Sequence, residues 1–447
     1  MSGGAVARAR SARFASFAAL AAWALAALLA APGNAAAQAI EAVDAIETIE
    51  ADGAAAPPER DPALDLAQEM YREALQSLAE GRKQDASAAL ARVLAKEPLH
   101  AGAWLDLALI QCSLGHADEA ERLFTAIIER FAPPEGIMEL IANARAEGCS
   151  SWRPQSQTTL SLSRGIDQNV NQGTTTSTFN AGPGGAQVEL PLTDDFKPRH
   201  DQYTSLSAEY LRDLTANGST VYGQLQWRRN DALNLYDSAS LFVGVETPWR
   251  FGRWTVRGSA TAGWVTLGGQ YYQRQTQAQV RIGPPLPLPR SIQFNLLAGL
   301  THINYLTLSN FDGNLGEVRG QFSYRNELDY ASASVGWQSD RATGARPGGD
   351  RHGLLATATW RRRLGTELVG EIGHTYQRWR GASFYSPGFI EQVRDQATQV
   401  TRIVLTYPVS KQNSIQLEAR HIRNKENISI FQYNNRQLQL TWQWQGL

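Results

Sequence analysis

The chain has 447 residues and a formal net charge of −1. Its length exceeds that of one ordinary domain, so two domains are expected. The near-neutral charge argues against a nucleic-acid partner, because such proteins neutralise phosphates with an excess of Lys and Arg. The mean hydropathy of −0.34 still allows a membrane barrel, whose strands are half polar. The 12 Trp and 14 Tyr residues fit aromatic belts at two bilayer interfaces.

The N-terminus has the three parts of a secretory signal peptide. Basic residues precede an Ala- and Leu-rich stretch from Phe14 to Ala31, and Ala35-Ala36-Ala37 follows as an A-x-A site. We therefore predict a signal peptide over residues 1–37 and a mature chain that starts at or near Gln38. The alternative is a retained membrane helix, because the apolar stretch is just long enough. No Cys lies near the site, so the chain is not expected to be a lipoprotein.

Residues 38–62 are rich in Ala and acidic residues and contain Pro57-Pro58, which predicts a linker. Residues 63–150 are helical in pattern. Two stretches within them repeat the same residue types at an offset of about 34 residues, which is the tetratricopeptide period. The residues expected to pack the paired helices are Gly81, Ala86, Leu90, Pro98, Trp104, Leu107, Gly115, Ala120 and Phe124.

This pattern predicts a tetratricopeptide-like helical domain over residues 63–150, with a third helix at 136–147 as its cap. Small residues in such repeats let the helices approach, and large ones fill the gap. Any pair of helical hairpins is the alternative, although the shared period favours repeats. Two repeats are fewer than the usual minimum for a stable stack. The N-terminal helix, the cap or the barrel must therefore supply further contacts.

The two cysteines, Cys112 and Cys149, both fall in this helical part. An oxidising periplasm would allow a disulfide between them. The equally weighted alternative is two buried thiols that pack as small hydrophobes. No metal site is expected, because no His or further Cys lies at ligand spacing.

From residue 151 onward, apolar and polar residues alternate in about fourteen segments. In the last one, Leu438, Leu440, Trp442 and Trp444 are separated by polar residues. Side chains on a strand point to opposite faces in turn, so one face is apolar and the other polar. A soluble sandwich can show the same alternation. The expected strands are 155–164, 201–214, 218–229, 236–248, 253–267, 270–284, 290–306, 316–328, 329–341, 351–363, 366–378, 396–409, 411–424 and 431–445.

The connections between these segments favour a barrel over a sandwich. They are alternately long and short, and the longest are 165–200, 342–350 and 380–395. Outer-membrane barrels keep short turns in the periplasm and long loops outside. With an even number of strands, the chain enters the first strand and leaves the last strand on the same side of the membrane, the periplasmic side. The helical domain, which directly precedes the first strand, would then lie in the periplasm too. The predicted fold class is therefore an all-α tetratricopeptide-like domain followed by an all-β transmembrane barrel of about 14 antiparallel strands over residues 151–447.

A polar cluster is expected where the first strand ends. Asp167, Asn169 and Asn171 alternate there, which would place their side chains on one face at the barrel mouth. They could bind a client or anchor the long loop that follows. The favoured alternative is Asx-rich turn chemistry at a strand exit.

Arginines are concentrated at the short-turn ends of three strands, at Arg250, Arg253 and 361–363. They could face acidic lipid or the helical domain, and interfacial snorkelling is an equally good interpretation.

No catalytic constellation stands out, so the chain is not expected to be an enzyme or to use a cofactor. The seven His residues are scattered. No G-x-S-x-G elbow appears, and no Walker A motif is present that would let a nucleotide drive the work directly. Transport would then be driven by binding of the substrate and by its folding outside the cell, or by a concentration gradient of the substrate.

Two stretches of the barrel carry a family resemblance. Gly165 to Asn171 is similar to the D-x-N-V-N element of the surface lipoprotein assembly modulator (Slam) family. Asn427 to Asn435, followed by Gln437 to Trp444, is similar to that family's last hairpin. The signal peptide, the small helical domain and the 14-stranded barrel also resemble this family. The chain departs from the usual barrel ending, because it closes on Gln445-Gly446-Leu447 instead of an aromatic residue.

The resemblance implies an outer-membrane translocator that helps a surface lipoprotein or a related secreted client reach the cell surface of a Gram-negative bacterium. The tetratricopeptide face would capture the client in the periplasm. The implied partners are that client, outer-membrane lipids and the barrel-assembly machinery, with no nucleic acid. Two alternatives stay open: a polysaccharide-export porin whose repeats dock the synthesis machinery, and a simple diffusion porin.

Overall fold

The computed structural model describes residues 62–149, 153–183, 186–289, 291–365 and 367–446. The predicted signal peptide and nearly all of the predicted linker lie outside these residues. Within the described ranges the chain forms an N-terminal helical part and a closed antiparallel barrel. The structure confirms the predicted fold class.

Five helices form the N-terminal part. Tight turns separate them, and Gly81 and Gly115 occupy two of these turns with positive φ angles of 76° and 83°, a region that glycine enters without steric cost. No described helix is long and apolar enough to cross a membrane. The helices are α1 (Pro62–Ala79), α2 (Lys83–Lys96), α3 (Ala101–Ser113), α4 (Ala117–Phe131) and α5 (Glu135–Glu147).

Buried aliphatic and aromatic side chains hold the helices together. Ala86 on α2 and Ala120 on α4 are fully buried where the paired helices approach each other. Leu90 and Phe124 follow them one turn later and fill the space between the helices. Trp104 lies against the same core, and its indole nitrogen donates to the carbonyl of Pro98 at 2.9 Å. Small and large residues therefore alternate in the core, as tetratricopeptide packing requires.

The barrel contains fourteen antiparallel strands, and a short hairpin, β2 and β3, lies inside the first long loop. The strands are β1 (Ser156–Asp167), β2 (Thr178–Ala181), β3 (Val188–Pro191), β4 (Asp201–Asp213), β5 (Thr220–Asn230), β6 (Ser238–Phe251), β7 (Trp254–Leu267), β8 (Gln270–Gly283), β9 (Ile292–Tyr305), β10 (Gly313–Arg325), β11 (Asp329–Ala342), β12 (Arg351–Leu364), β13 (Leu368–Ser386), β14 (Ile390–Pro408), β15 (Asn413–Glu426) and β16 (Tyr433–Gly446).

Pairing of the first strand with the last closes the barrel. β1 and β16 are in continuous register from Thr158 opposite Gly446 to Asp167 opposite Gln437. Closure leaves no unpaired edge, which a sheet in lipid requires. We call the end with the short connections the turn end, and the end with the first long loop the loop end. The turn between β7 and β8 is short although it lies at the loop end, because Gly268 and Gly269 with positive φ form it alone.

The two faces of the barrel differ as the alternation predicts. Large apolar side chains such as Leu440 and Trp442 are exposed on the outside, and so are Ala260 and Ala358. Inward positions carry buried polar side chains, including Gln273 and others on neighbouring strands. An apolar outer face with a polar interior is the pattern of a barrel that lipid surrounds.

Two predicted loops are wrong in extent. The predicted connection 380–395 is mostly strand, because β13 and β14 continue past it to a short turn after Ser386. Register shifts on both sides of Phe384 interrupt the ladder there, so regular alternation could not reveal this extension. The first strand also runs further than predicted, to Asp167, and Asn169 and Asn171 lie beyond its end. They do not continue its alternation.

A lysine on the outer face should destabilise the barrel. We expect Ala260→Lys or Ala358→Lys to cost about 2–4 kcal/mol, because an ammonium group near the bilayer midplane has no polar partner. Urea unfolding in lipid vesicles and heat-modifiable migration measure the loss. The control Ser259→Lys places the same charge on the neighbouring inward position and should cost far less. Equal folding of Ala260→Lys and the parent chain would mean that this face does not meet lipid.

Candidate functional site

The carboxylate of Asp167 is the centre of a buried network at the loop end of the barrel. Only 3% of this residue is exposed. Its Oδ2 accepts hydrogen bonds from Arg228 at 2.7 Å and from Gln437 at 2.8 Å, and its Oδ1 accepts the backbone N–H of Asn169 at 3.0 Å. The Arg228 guanidinium also lies 3.8 Å from the ring centroid of Tyr203. The carboxylate therefore joins β1, β5 and β16 from inside.

The amides of Asn169 and Asn171 fix the start of the first long loop, residues 168–200. Asn169 donates to the carbonyls of Gly173 and Asn434 and accepts the Gly173 N–H. Asn171 donates to the carbonyl of Lys197 at 2.8 Å and accepts the N–H of Arg199 at 2.8 Å. All these partners belong to the chain's own loop and strands. The structure thus places the three predicted residues in contacts that anchor the loop.

The first long loop reaches across to two other connections of the loop end. Its Thr174 hydroxyl donates to the carbonyl of Ser429 at 2.7 Å, between β15 and β16. Further along, the N–H of Gly182 donates to the carbonyl of Phe389 at 2.7 Å, and the Phe179 ring meets the Phe389 ring edge-on. The loop therefore covers the loop end beside β13 to β16.

An apolar cluster faces inward on the other side of the loop end. The guanidinium of Arg351 lies 4.7 Å from the centroid of the Trp379 ring of this cluster. Arg351 also forms an ion pair with Asp340, and Arg346 forms a second ion pair with the same carboxylate. Packed side chains thus line both sides of the loop end. The cluster residues are Phe242, Val265, Tyr272, Ile303, Tyr305, Leu308, Leu315 and Trp379.

Sequence reasoning missed this apolar cluster, although a signal was present. Phe242, Ile303 and Leu315 occupy inward positions of their strands, as their burial shows, and each stands near the loop end. An apolar residue on the otherwise polar face of a barrel strand marks a place where the interior is packed and not wet.

The wall below the cluster carries paired charges. Glu371 on β13 forms ion pairs with Arg361 and with Arg402, both at 2.9 Å. Arg402 also pairs with Glu418 at 2.9 Å, which pairs in turn with Arg420. Of the predicted arginine run 361–363, the first member therefore points inward. The lumen wall on β12 to β15 is therefore a polar surface whose charges are linked to one another by ion pairs.

Arginines at the turn end hold the helical domain. Arg250 is largely buried, pairs with Glu73 at 3.3 Å, and donates to the Ser77 hydroxyl at 2.7 Å. Arg253 pairs with Glu69 at 3.2 Å. The backbone of Lys83 donates to the carbonyl of residue 216 in the turn between β4 and β5. Of the three interpretations offered for Arg250 and Arg253, the structure favours contact with the helical domain.

Inside the helical domain, a disulfide joins Cys112 at the end of α3 to Cys149 after α5. An ion pair between Arg145 and Glu121 at 2.6 Å also ties α5 to α4, and its hydrogen bond lowers the pKa of the Glu121 carboxyl. These two links fix the cap helix. No group of three or more His, Cys, Asp or Glu side chains in the described ranges lies close enough to hold a metal ion.

Tyr71 connects α1 to α3 beside the helical core. Its hydroxyl donates to Asp106 at 2.6 Å, and its ring lies 4.3 Å from that of His100. Burial raises the pKa of the Tyr71 hydroxyl, and the hydrogen bond to Asp106 raises it further. Burial also raises the pKa of Asp106. This polar contact holds the first helix, which carries Glu69 and Glu73, against the repeat that follows.

Comparison with known proteins supports the helical part and gives only a weak likeness for the barrel. A tetratricopeptide repeat family model matches residues 77–136. No curated protein sequence matches the chain significantly. An anion-selective porin from Comamonas acidovorans is 9% identical, with 66% of this chain and 99% of that chain covered and a TM-score of 0.36. The trimer form of OmpT from Vibrio cholerae is 7% identical, with 65% and 99% covered and a TM-score of 0.36.

Proposed function

We propose that this chain is an outer-membrane translocator that helps deliver a surface lipoprotein or a related secreted client across the outer membrane. The apolar outer face supports a location in lipid. The short connections at the turn end support an orientation with that end, and the helical domain docked on it, in the periplasm. The proposal assigns no reaction chemistry and no cofactor to the chain.

The observation that carries the proposal is the fixed contact between the helical domain and the turn end. Arg250 is buried in this contact and bonds both a carboxylate and a hydroxyl of α1. A largely buried, multiply bonded arginine at such an interface favours one fixed arrangement over a freely tethered domain. A client bound by the tetratricopeptide repeats would therefore be held close to the barrel entrance.

The lumen supports the step that would follow capture, which is passage of the client through the barrel. Its charges are paired with one another along β12 to β15, so an extended polypeptide would meet a polar wall without a strong field of one sign. At the loop end, the anchored first loop and the apolar cluster would have to move aside or accommodate the client. Movement of the loop is the conformational step that we expect to accompany export.

Deletion of residues 63–148 tests the capture role. We expect the barrel to remain membrane-inserted and heat-modifiable, because its strands pair only with one another. Export should be lost, because the client would no longer be concentrated at the turn end. Surface labelling followed by mass spectrometry measures export. Survival of export in the deletion strain would show that the helical domain does not capture the client.

A milder variant tests docking alone. Arg250→Gln with Arg253→Gln removes both ion pairs between the barrel and α1, and we expect surface display of the client to fall while the repeats remain folded. The matched control, Arg212→Gln with Arg363→Gln, removes two exposed cations that form no ion pair with any described residue. The control should export normally. Altered surface polysaccharide with unchanged surface proteins would instead favour the polysaccharide-export alternative.

A further inference from the structure

A patch of three unpaired cations lies on the outside of the barrel near the loop end. Arg423 and Lys425 on β15 and Arg436 on β16 are exposed. They share the outward face with the apolar residues Leu417 and Leu438, since each stands an even number of positions from one of them. We call these three residues the cationic patch.

The register of the strands brings these side chains together. Arg423 stands opposite Asn434, and Arg436 stands opposite the neighbouring outward residue His421. On its other side Arg423 stands opposite Gln399 of β14. Directly opposite side chains lie roughly 5 Å apart and diagonal ones roughly 7–8 Å. Arg423 and Arg436 are diagonal neighbours, so one phosphate group can bridge them while flanking amides donate to its remaining oxygens.

The patch stands at the height of the outer bilayer interface. Strands rise by about 3.3 Å per residue and tilt by roughly 40° in membrane barrels. Arg423 is therefore about 20 Å above Ile415 at the turn end of β15, and Arg436 is at a similar height above Trp444. The apolar band of such barrels is about 25 Å tall. The guanidinium groups thus reach the level at which the headgroups of the far leaflet begin.

Two other outward arginines near the loop end have a carboxylate partner, which the three cations of the patch lack. Arg164 pairs with Asp231 at 2.5 Å, and Arg378 pairs with Asp395 at 2.8 Å. No carboxylate of the described residues lies within ion-pair distance of Arg423, Lys425 or Arg436. Three adjacent cations without acidic partners create a local positive field that favours an anion.

We propose that the cationic patch binds the phosphorylated headgroup of an outer-leaflet lipid, of the lipid A type. Arginine fits phosphate oxygens with two parallel donors, and lysine adds a point charge. The acyl chains of the same lipid would lie on the apolar residues below, such as Leu417 and Leu438. The proposal rests on the membrane location and orientation proposed above, and it is independent of client export.

Native mass spectrometry of the purified full-length protein with added lipid A tests the site. We expect the parent chain to retain the lipid, and the variant Arg423→Gln/Lys425→Gln/Arg436→Gln to bind it about tenfold or more weakly, because it loses every charged donor of the patch. Lipid A stripped of its phosphates should bind the parent chain as weakly as intact lipid A binds the triple variant. Heat-modifiable migration checks that the variant barrel is folded.

The matched control removes three outward cations from separate strands, as Arg229→Gln/Arg274→Gln/Arg341→Gln. It has the same net charge as the patch variant and should retain the lipid. Equal lipid retention by the folded patch variant and the parent chain would overturn the proposal, as would equal retention of dephosphorylated lipid A. Because binding is measured without a client, failure of export leaves this result intact.

Discussion

Replacing Asp167 with Ala should lower the free energy of unfolding of the barrel by about 3 kcal/mol, because the Arg228 guanidinium stays largely buried without its carboxylate. Arg228 is 18% exposed and Asp167 is 3% exposed in this pair. The variant also loses the acceptor for the Asn169 backbone N–H. We therefore expect the first long loop to detach at its start. Urea unfolding in lipid vesicles measures the stability, and limited proteolysis within 168–200 measures the detachment.

The chain offers an exposed pair as a matched control. Arg164 and Asp231 are about half exposed, at 49% and 48%, and exposed pairs contribute about 0–1 kcal/mol. Asp231→Ala should therefore leave stability nearly unchanged. The double variant Asp167→Ala/Arg228→Met should recover much of the loss, because removing both charges relieves the unpaired one. Equal stability of Asp167→Ala and Asp231→Ala would contradict a structural role for the buried pair.

Removing the disulfide should destabilise the helical domain by about 4 kcal/mol, the largest effect expected for this part of the chain. Cys112 and Cys149 are separated by 37 positions, and a crosslink over a loop of that length restricts the unfolded chain to about this extent. We expect Cys112→Ala/Cys149→Ala to melt the cap helix α5 first, because only the contacts of Arg145 and its apolar face then hold it. Hydrogen exchange of α5 amides measures this loss.

Reduction provides the control for the disulfide. Dithiothreitol should bring the parent chain to the stability of the double variant and should leave the variant itself unchanged. The barrel, which contains no Cys, should unfold identically in all four samples. Unchanged exchange of α5 in the double variant would show that the helical core alone fixes the cap.

The sequence predicted the strands well because one face of each meets an apolar environment and the other does not. Eleven residues of alternation, as in Trp254 to Trp264, leave little choice of register or face. Gly81 and Gly115, which the repeat period placed among the residues expected to pack the helices, lie instead in the turns between helices. Local periodicity is sufficient to predict a strand and its two faces wherever one face of the strand lies in a uniform environment.

The contacts that close the loop end could not be predicted from periodicity. Asn169 was expected on the strand face, but the strand ends at Asp167 and the amide instead bonds the backbone of Asn434, which is 265 positions away. The partner of Arg250 was likewise undecided, because its contact with Ser77 depends on how two separately folded parts meet. Such pairings depend on long-range geometry, which residue spacing within one element does not encode.

We propose that the docked helical domain and the barrel act together to place a client on the cell surface. The most direct test compares the cell-surface proteomes of three strains by surface labelling and mass spectrometry. These are the parent strain, a gene-deletion strain that lacks the whole chain, and the Arg250→Gln/Arg253→Gln strain. We expect one or two surface lipoproteins or secreted proteins to disappear from the labelled surface of the gene-deletion strain and to decline in the docking variant. An unchanged set of surface proteins in the deletion strain would contradict it.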